Sequence, residues 1–191
     1  MSENKKILVH MCCAPCAAPS VEKLMLDEYE VVLYFCNSNI YPHEEYLMRF
    51  DSAKKLAKII NVEIKEDDYN HDLWLEKIRG FESEPEKGKR CDICFDFSLA
   101  CTAALADELD IPFFTTTLTL SPHKVSKRIF ELGNKYSKYL PFNFKKKNGF
   151  LRSLQLSEEY NLYRQKYCGC EFSLADMKKR EKSKKEKKVK K

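Results

Sequence analysis

Glycine is scarce in this chain, with five residues, at positions 80, 88, 133, 149 and 169, and none follows the first strand-like segment. Neither GxGxxG nor a GxxxxGKS or GxxxxGKT loop occurs, which removes dinucleotide and P-loop nucleotide binding from consideration. GxSxG and HExxH are absent as well, so neither a nucleophile elbow nor a zincin helix is present. No apolar run approaches the roughly 18 residues that a membrane-spanning helix requires. The start, MSENKKILVHM, lacks a long apolar stretch followed by a small-residue cleavage site, so a cytoplasmic protein with no membrane partner is expected. There is no internal repeat.

Cysteine, by contrast, is abundant. Seven of the nine fall into three tight clusters: Cys12, Cys13 and Cys16; Cys91 and Cys94; Cys168 and Cys170. An odd number of thiols in a reducing compartment is poorly explained by disulfides and better explained by metal ligation or thiol catalysis.

At 191 residues and 43% hydrophobic content the chain is long enough for one well-buried core. The whole carries +5, and positions 178 to 191 alone carry +8, so the remainder is mildly acidic at −3. This sets a catalytic body, residues 1–176, against a basic tail, residues 177–191, of a kind that attracts polyanions.

Apolar runs at Lys5–Met11 and Val31–Cys36, a short one at Val62–Lys65, and the β-branched, aromatic segment Phe113–Leu120 read as strands. Between them, helical periodicity predicts helices over Ala17–Glu30, His43–Ile60, His71–Arg79 and Asp92–Leu109. Ser121-Pro122 opens a further helix, residues 154–167 form the last, and Cys168 and Cys170 lie just beyond its end. Strands that are nearly continuous apolar runs, alternating with helices, specify an α/β fold: a parallel sheet covered by helices on both faces. Ligands in such sheets sit beyond the carboxyl ends of the strands, where Cys12 and Cys13 fall.

Thiolates suit zinc or iron–sulfur centres rather than magnesium or calcium. Cys91 and Cys94 share one helix face, and Gly169 frees the backbone for Cys168 and Cys170 to turn inwards. Adjacent Cys12 and Cys13 are expected to diverge, because neighbouring side chains point apart in most backbone conformations. Seven thiolates exceed the four that one tetrahedral ion or one four-iron cluster uses, which implies two centres or one cluster with spare thiols beside it. Cys36 and Cys101 are assigned to the core. Asp96, close to the CxxC, and His123, at a strand's carboxyl end, are candidate acids. Lys145, Lys146, Lys147 and Arg152, interleaved with Phe144 and Phe150, form a candidate phosphate strip, and Tyr163, Arg164, Tyr41 and Tyr167 are candidates to stack on a base or grip phosphate. Spacing alone leaves a zinc-stabilised RNA-binding module open beside a redox enzyme.

Six ordered motifs settle on a family. HMCCAPC (10–16), NIYPHEEYLMR (39–49), RCDICFDFSL (90–99), FFTTTLTLSPHK (113–124), FKKKNGF (144–150) and YRQKYCGCEFSL (163–174) together resemble QueH, the cobalamin-independent epoxyqueuosine reductases, over about residues 5 to 175. The resemblance implies a sheet similar to the adenine nucleotide alpha-hydrolase-like (HUP) fold with a helical C-terminal extension. It implies two-electron deoxygenation of epoxyqueuosine at the wobble position of a tRNA anticodon, the last step of queuosine biosynthesis. A 4Fe-4S cluster beside a mononuclear iron, held by the seven clustered cysteines, and an external donor such as a ferredoxin or flavodoxin are implied with it.

Overall fold

The computed structural model describes residues 5–189, and for residues 187–189 the backbone only. Its centre is a four-stranded, fully parallel sheet in the order β3-β2-β1-β4, made of β1 (Lys6–His10), β2 (Glu30–Phe35), β3 (Glu63–Glu66) and β4 (Phe113–Thr116). Because side chains alternate along each strand, the sheet feeds two cores. Ile7, Val9, Val31, Leu33 and Phe35 point to one face, where α1 (Ala14–Leu26), α2 (His43–Ile59) and α6 (Gly149–Glu159) pack. Leu8, Val32, Tyr34 and Phe114 point to the other, covered by α4 (Lys89–Glu108), with α5 (Ser126–Gly133) packed alongside it. The short α3 (His71–Lys77) buries Trp74 beside α4, and α7 (Glu171–Val189) carries the basic stretch. The α/β fold with both faces of the sheet covered is therefore the one expected.

Several boundaries differ from the periodicity. The first helix begins at Ala14, not Ala17, because the extended Cys13 serves as its N-cap and Pro15 fits its first turn. β4 stops at Thr116, the last residue with a β1 partner, and 117–120 curl into a buried 3₁₀ turn in which the Leu118 amide donates to the Thr116 hydroxyl. Residues 121–125 are a turn rather than the start of a helix, since the His123 and Lys124 amides bond back to Ser121. The penultimate helix ends at Glu159, well short of 167, because Asn161 adopts a left-handed conformation (φ 48°) and the Leu162 amide returns to the Ser157 carbonyl. Glu28, Asn61 and Asp110 stop α1, α2 and α4 in the same way. In a glycine-poor chain these turns fall on longer side chains, which hides them from sequence inspection.

Among the described residues, no helix is long and apolar enough to cross a membrane.

Candidate metal centre

The strand-to-helix corner after β1 gathers the first cysteine cluster. Cys12 leaves the strand, Cys13 is the N-cap of α1 with φ −174° and ψ 158°, and Cys16 lies in the first helical turn. This corner turns both adjacent thiols the same way: Cys12 Sγ and Cys13 Sγ are 3.9 Å apart, and all three sulfurs lie within 4.8 Å of one another. The expected divergence of Cys12 and Cys13 is thus overturned by the extended N-cap. Thr117, fully buried in the 3₁₀ turn, fixes the corner by accepting the Cys12 amide at 3.2 Å and pointing its hydroxyl at the Cys12 sulfur at 3.6 Å.

The three thiols are chemically unequal. Hydrogen bonds from Cys12 and Cys16 draw Cys13 well below the usual thiol range, assisted by Gln165 and Arg49, and contacts with Cys12 and Cys13 push Cys16 well above it. The amide end of α1 favours negative charge here, as helix N-termini do.

Cys91 and Cys94 lie in the first turns of α4, and Cys168 and Cys170 immediately precede α7. The two pairs lie near enough to raise one another's pKa values, and among the described residues they do not converge as tightly as Cys12, Cys13 and Cys16. Burial, then Cys168, Cys170 and Cys91, push Cys94 well above its ordinary value, and burial raises Cys91 and Cys170 as well. The buried Trp74 Nε1–H has no hydrogen-bond partner among the described residues, and Trp74 offsets only slightly the burial that raises Cys94.

Arg49, 2% exposed, holds the segment leading to this second group. Its guanidinium donates to the Cys168 carbonyl at 2.9 Å and the Tyr167 carbonyl at 3.2 Å, stacks on the Tyr167 ring, and is neutralised by Glu45 at 2.8 Å. Gly169 has φ +152°, and its carbonyl accepts the Tyr41 amide at 2.9 Å. A Cβ there would come within 3.3 Å of Arg49, Asn39 and Ile40, so glycine is needed between the two thiols.

A cavity of about 690 Å³ opens over both groups, with Cys12, Cys13, Cys16, Cys91 and Cys168 on its floor. A smaller adjoining cavity is lined by Cys94, Cys12, Cys168 and His10. Lys124 lines both. Burial works to lower its pKa, and the facing Cys168, Cys12, Cys16 and Cys13 sulfurs outweigh burial, so the ammonium is held above the ordinary lysine range. The rim is mostly basic: Lys87, Arg128, Arg164, Lys166, Arg180 and Lys184 against Glu86, Asp92 and Glu181.

The other expected residues divide. His123 lines the large cavity and is exposed, and Arg164 does too. Asp96 lines neither cavity and is held by the Tyr136 hydroxyl at 3.1 Å and Lys135 at 3.5 Å. Tyr163 donates to Glu45 at 2.8 Å, and Arg152 is tied to Glu22 by two bonds of 2.7 and 2.9 Å. Lys146 and Lys147 are exposed and line neither cavity, whereas Lys145 turns in to donate to the Lys124 carbonyl. Sequence reasoning missed Lys124 and Arg49, although both sit inside the quoted motifs; among 34 lysines and arginines nothing in the sequence singles them out.

Comparison with known proteins follows the same residues. The family model for "Epoxyqueuosine reductase QueH" matches positions 7–176. Curated epoxyqueuosine reductases of this family are 41% identical in Streptococcus pyogenes serotype M1, covering 90% of this chain and 71% of that protein, and 36% identical in Acinetobacter baylyi, covering 90% and 81%. The Thermotoga maritima protein is 32% identical over 89% of this chain and 91% of its own length. Among solved structures, the U34-tRNA thiolase NcsA from Methanococcus maripaludis with its 4Fe-4S cluster superposes with a TM-score of 0.54 at 14% identity, covering 89% of this chain; the chain spans 61% of that protein, and the likeness is one of fold. With a family model matched from β1 into the start of α7 and relatives aligned over nine-tenths of its length, this chain belongs to the epoxyqueuosine reductase QueH family.

Proposed function

We propose that this chain, an oxidoreductase of the epoxyqueuosine reductase family, deoxygenates epoxyqueuosine on tRNA inside the cysteine-floored cavity. The observation that carries this reading is the pairing of a thiol-rich floor with a basic rim around about 690 Å³, room for an extruded nucleotide. The reaction balances as epoxide plus two electrons and two protons giving a carbon–carbon double bond and water, and an external donor such as a ferredoxin or flavodoxin provides the electrons.

The residues fit an iron–sulfur centre. Three sulfurs converge within 4.8 Å, the Cys91–Cys94 and Cys168–Cys170 pairs lie close enough to raise one another's pKa values, and the buried Trp74 N–H near Cys94 has no partner among the described residues. Cys12, Cys13, Cys16, Cys91, Cys94, Cys168 and Cys170 form the ligand set for a 4Fe-4S cluster and a mononuclear iron. When bound, the cluster supplies low-potential electrons and the separate iron a Lewis acid. Lys124 holds a proton over the floor and offsets the negative charge of the thiolates, and His123 at the rim is the second proton carrier. Arg49 fixes where Cys168 stands.

For the tRNA, the rim cations Lys87, Arg128, Arg164 and Lys166 line the approach to the floor, and Arg180 and Lys184 extend it along α7. Exposed Lys146 and Lys147 continue the strip. Phosphate contacts of this kind set affinity and its salt dependence.

The test is anaerobic purification with iron, zinc and sulfide quantification and a visible spectrum before and after dithionite, followed by nucleoside mass analysis of tRNA carrying epoxyqueuosine. The expected result is a brown chromophore that dithionite bleaches, more than four irons per chain, and loss of one oxygen from the modified nucleoside. A colourless zinc protein that leaves the nucleoside intact would replace this reading with a zinc-stabilised RNA-binding module.

A further inference from the structure

Cys36, Asp67 and Cys101 form a second convergent donor set that the reaction does not use. Cys36 closes the apolar run of β2, Asp67 follows β3, and Cys101 lies in the middle of α4. The Cys36 Sγ lies 3.0 Å from Asp67 Oδ2, and all three ligating atoms are within 4.8 Å of one another. Cys36 is 1% exposed, while Asp67 and Cys101 are half-buried, so the trio faces the core on one side and is open to entry on the other.

The expected core assignment of both cysteines holds as far as packing goes, since they belong to the cluster of Leu8, Val32 and Leu99. Packing does not explain why a carboxylate is brought against them. Two soft thiols and one carboxylate are a familiar mixed set for zinc, whose bonds of about 2.3 Å to sulfur and about 2.0–2.2 Å to oxygen place tetrahedral ligand atoms roughly 3.5–3.8 Å apart. That separation falls inside the spread seen here, so small rotamer changes complete the triangle.

We propose that Cys36, Asp67 and Cys101 bind one divalent thiophilic cation, zinc by donor chemistry, with the fourth position left to water. The ion ties the carboxyl ends of β2 and β3 to α4, the helix that carries Cys91 and Cys94. Its placement beside the main centre is direct: His10 Nε2–H donates to the Cys36 carbonyl at 3.2 Å, and the same ring lines the small cavity with Cys94 and Cys12. The role is that of a staple on the scaffold rather than a participant in the chemistry.

The protein for the test is the iron-loaded chain, anaerobic and freed of zinc by dialysis, titrated with zinc against a chromophoric chelator. The expected outcome is one zinc per chain with iron and sulfide unchanged. Unfolding temperature rises by about 5–10 °C when free zinc is a hundredfold above its dissociation constant. Asp67→Asn keeps the shape of the side chain and weakens zinc at least tenfold, and Cys36→Ala with Cys101→Ala abolishes uptake while the iron content stays that of the parent chain. If the double variant fails to fold, Asp67→Asn alone decides. Equal zinc uptake by parent and variants, zinc entering only as iron leaves, or a Cys36–Cys101 disulfide in the anaerobic protein would each overturn the proposal.

Discussion

The Cys12–Cys13–Cys16 corner is the work of one strand-to-helix turn, whereas Cys91, Cys94, Cys168 and Cys170 are brought together from the start of α4 and the start of α7. The first needs little beyond local geometry, an extended N-cap and one buried threonine hydroxyl, and its sulfurs lie within 4.8 Å. The second depends on a buried arginine, a glycine with φ +152° and an indole N–H, and these come from α2, the 168–170 segment and α3. A site made of one local half and one long-range half will lose the long-range half first when packing is damaged.

Arg49→Leu puts this to the strongest test. It releases the Tyr167 and Cys168 carbonyls and leaves Glu45 buried without its partner, costing about 3–5 kcal/mol in urea unfolding. Iron bound through Cys91, Cys94, Cys168 and Cys170 falls, while anaerobic thiol labelling of Cys12 and Cys16 stays close to that of the parent. Equal loss of protection at both groups would break the distinction. Gly169→Ala perturbs the same long-range half more gently, with about 1–3 kcal/mol expected from forcing a side chain into that conformation, read as a lower unfolding midpoint together with reduced iron.

Thr117→Val tests the local half. It removes the acceptor of the Cys12 amide at similar volume and costs about 1–2 kcal/mol, with the labelling change confined to Cys12 and its neighbours. On the rim, Arg180→Ala and Lys184→Ala each lower the slope of log affinity against log salt for tRNA by about one without moving the stability curve. An unchanged slope removes α7 from the footprint. The smallest effect is expected at Glu28→Gly, which relieves a left-handed residue (φ 66°) at the end of α1 and adds roughly 0.5–1 kcal/mol to unfolding stability, leaving both cysteine groups as they are.

Much of this architecture was legible along the chain because its signals are local. Continuous apolar strands specify the parallel sheet, and the spacing of Cys12, Cys13 and Cys16 marks the three sulfurs that converge. What escaped inspection is tertiary. Asp67 stands far in sequence from both Cys36 and Cys101, and no pattern announces it. Asp96 lies close to Cys94 in sequence, yet the helix turns it towards Tyr136 and away from the cavity. Arg49 reads as an ordinary charge on an amphipathic helix until the Cys168 carbonyl arrives over it. The early end of α6 was hidden because Asn161, not glycine, takes the left-handed turn.

The last helix joins two kinds of chemistry in a single rod. Its 19 residues, at about 1.5 Å each, span roughly 28 Å, with Cys170 against its first residue and the rim cations Arg180 and Lys184 about two and a half and three and a half turns along. Phe172, beneath the Arg90 guanidinium and beside Trp74, pins the near end. A rod pinned beside Cys170 and carrying Arg180 and Lys184 further along fixes the distance between the thiols and that positive charge by its own length.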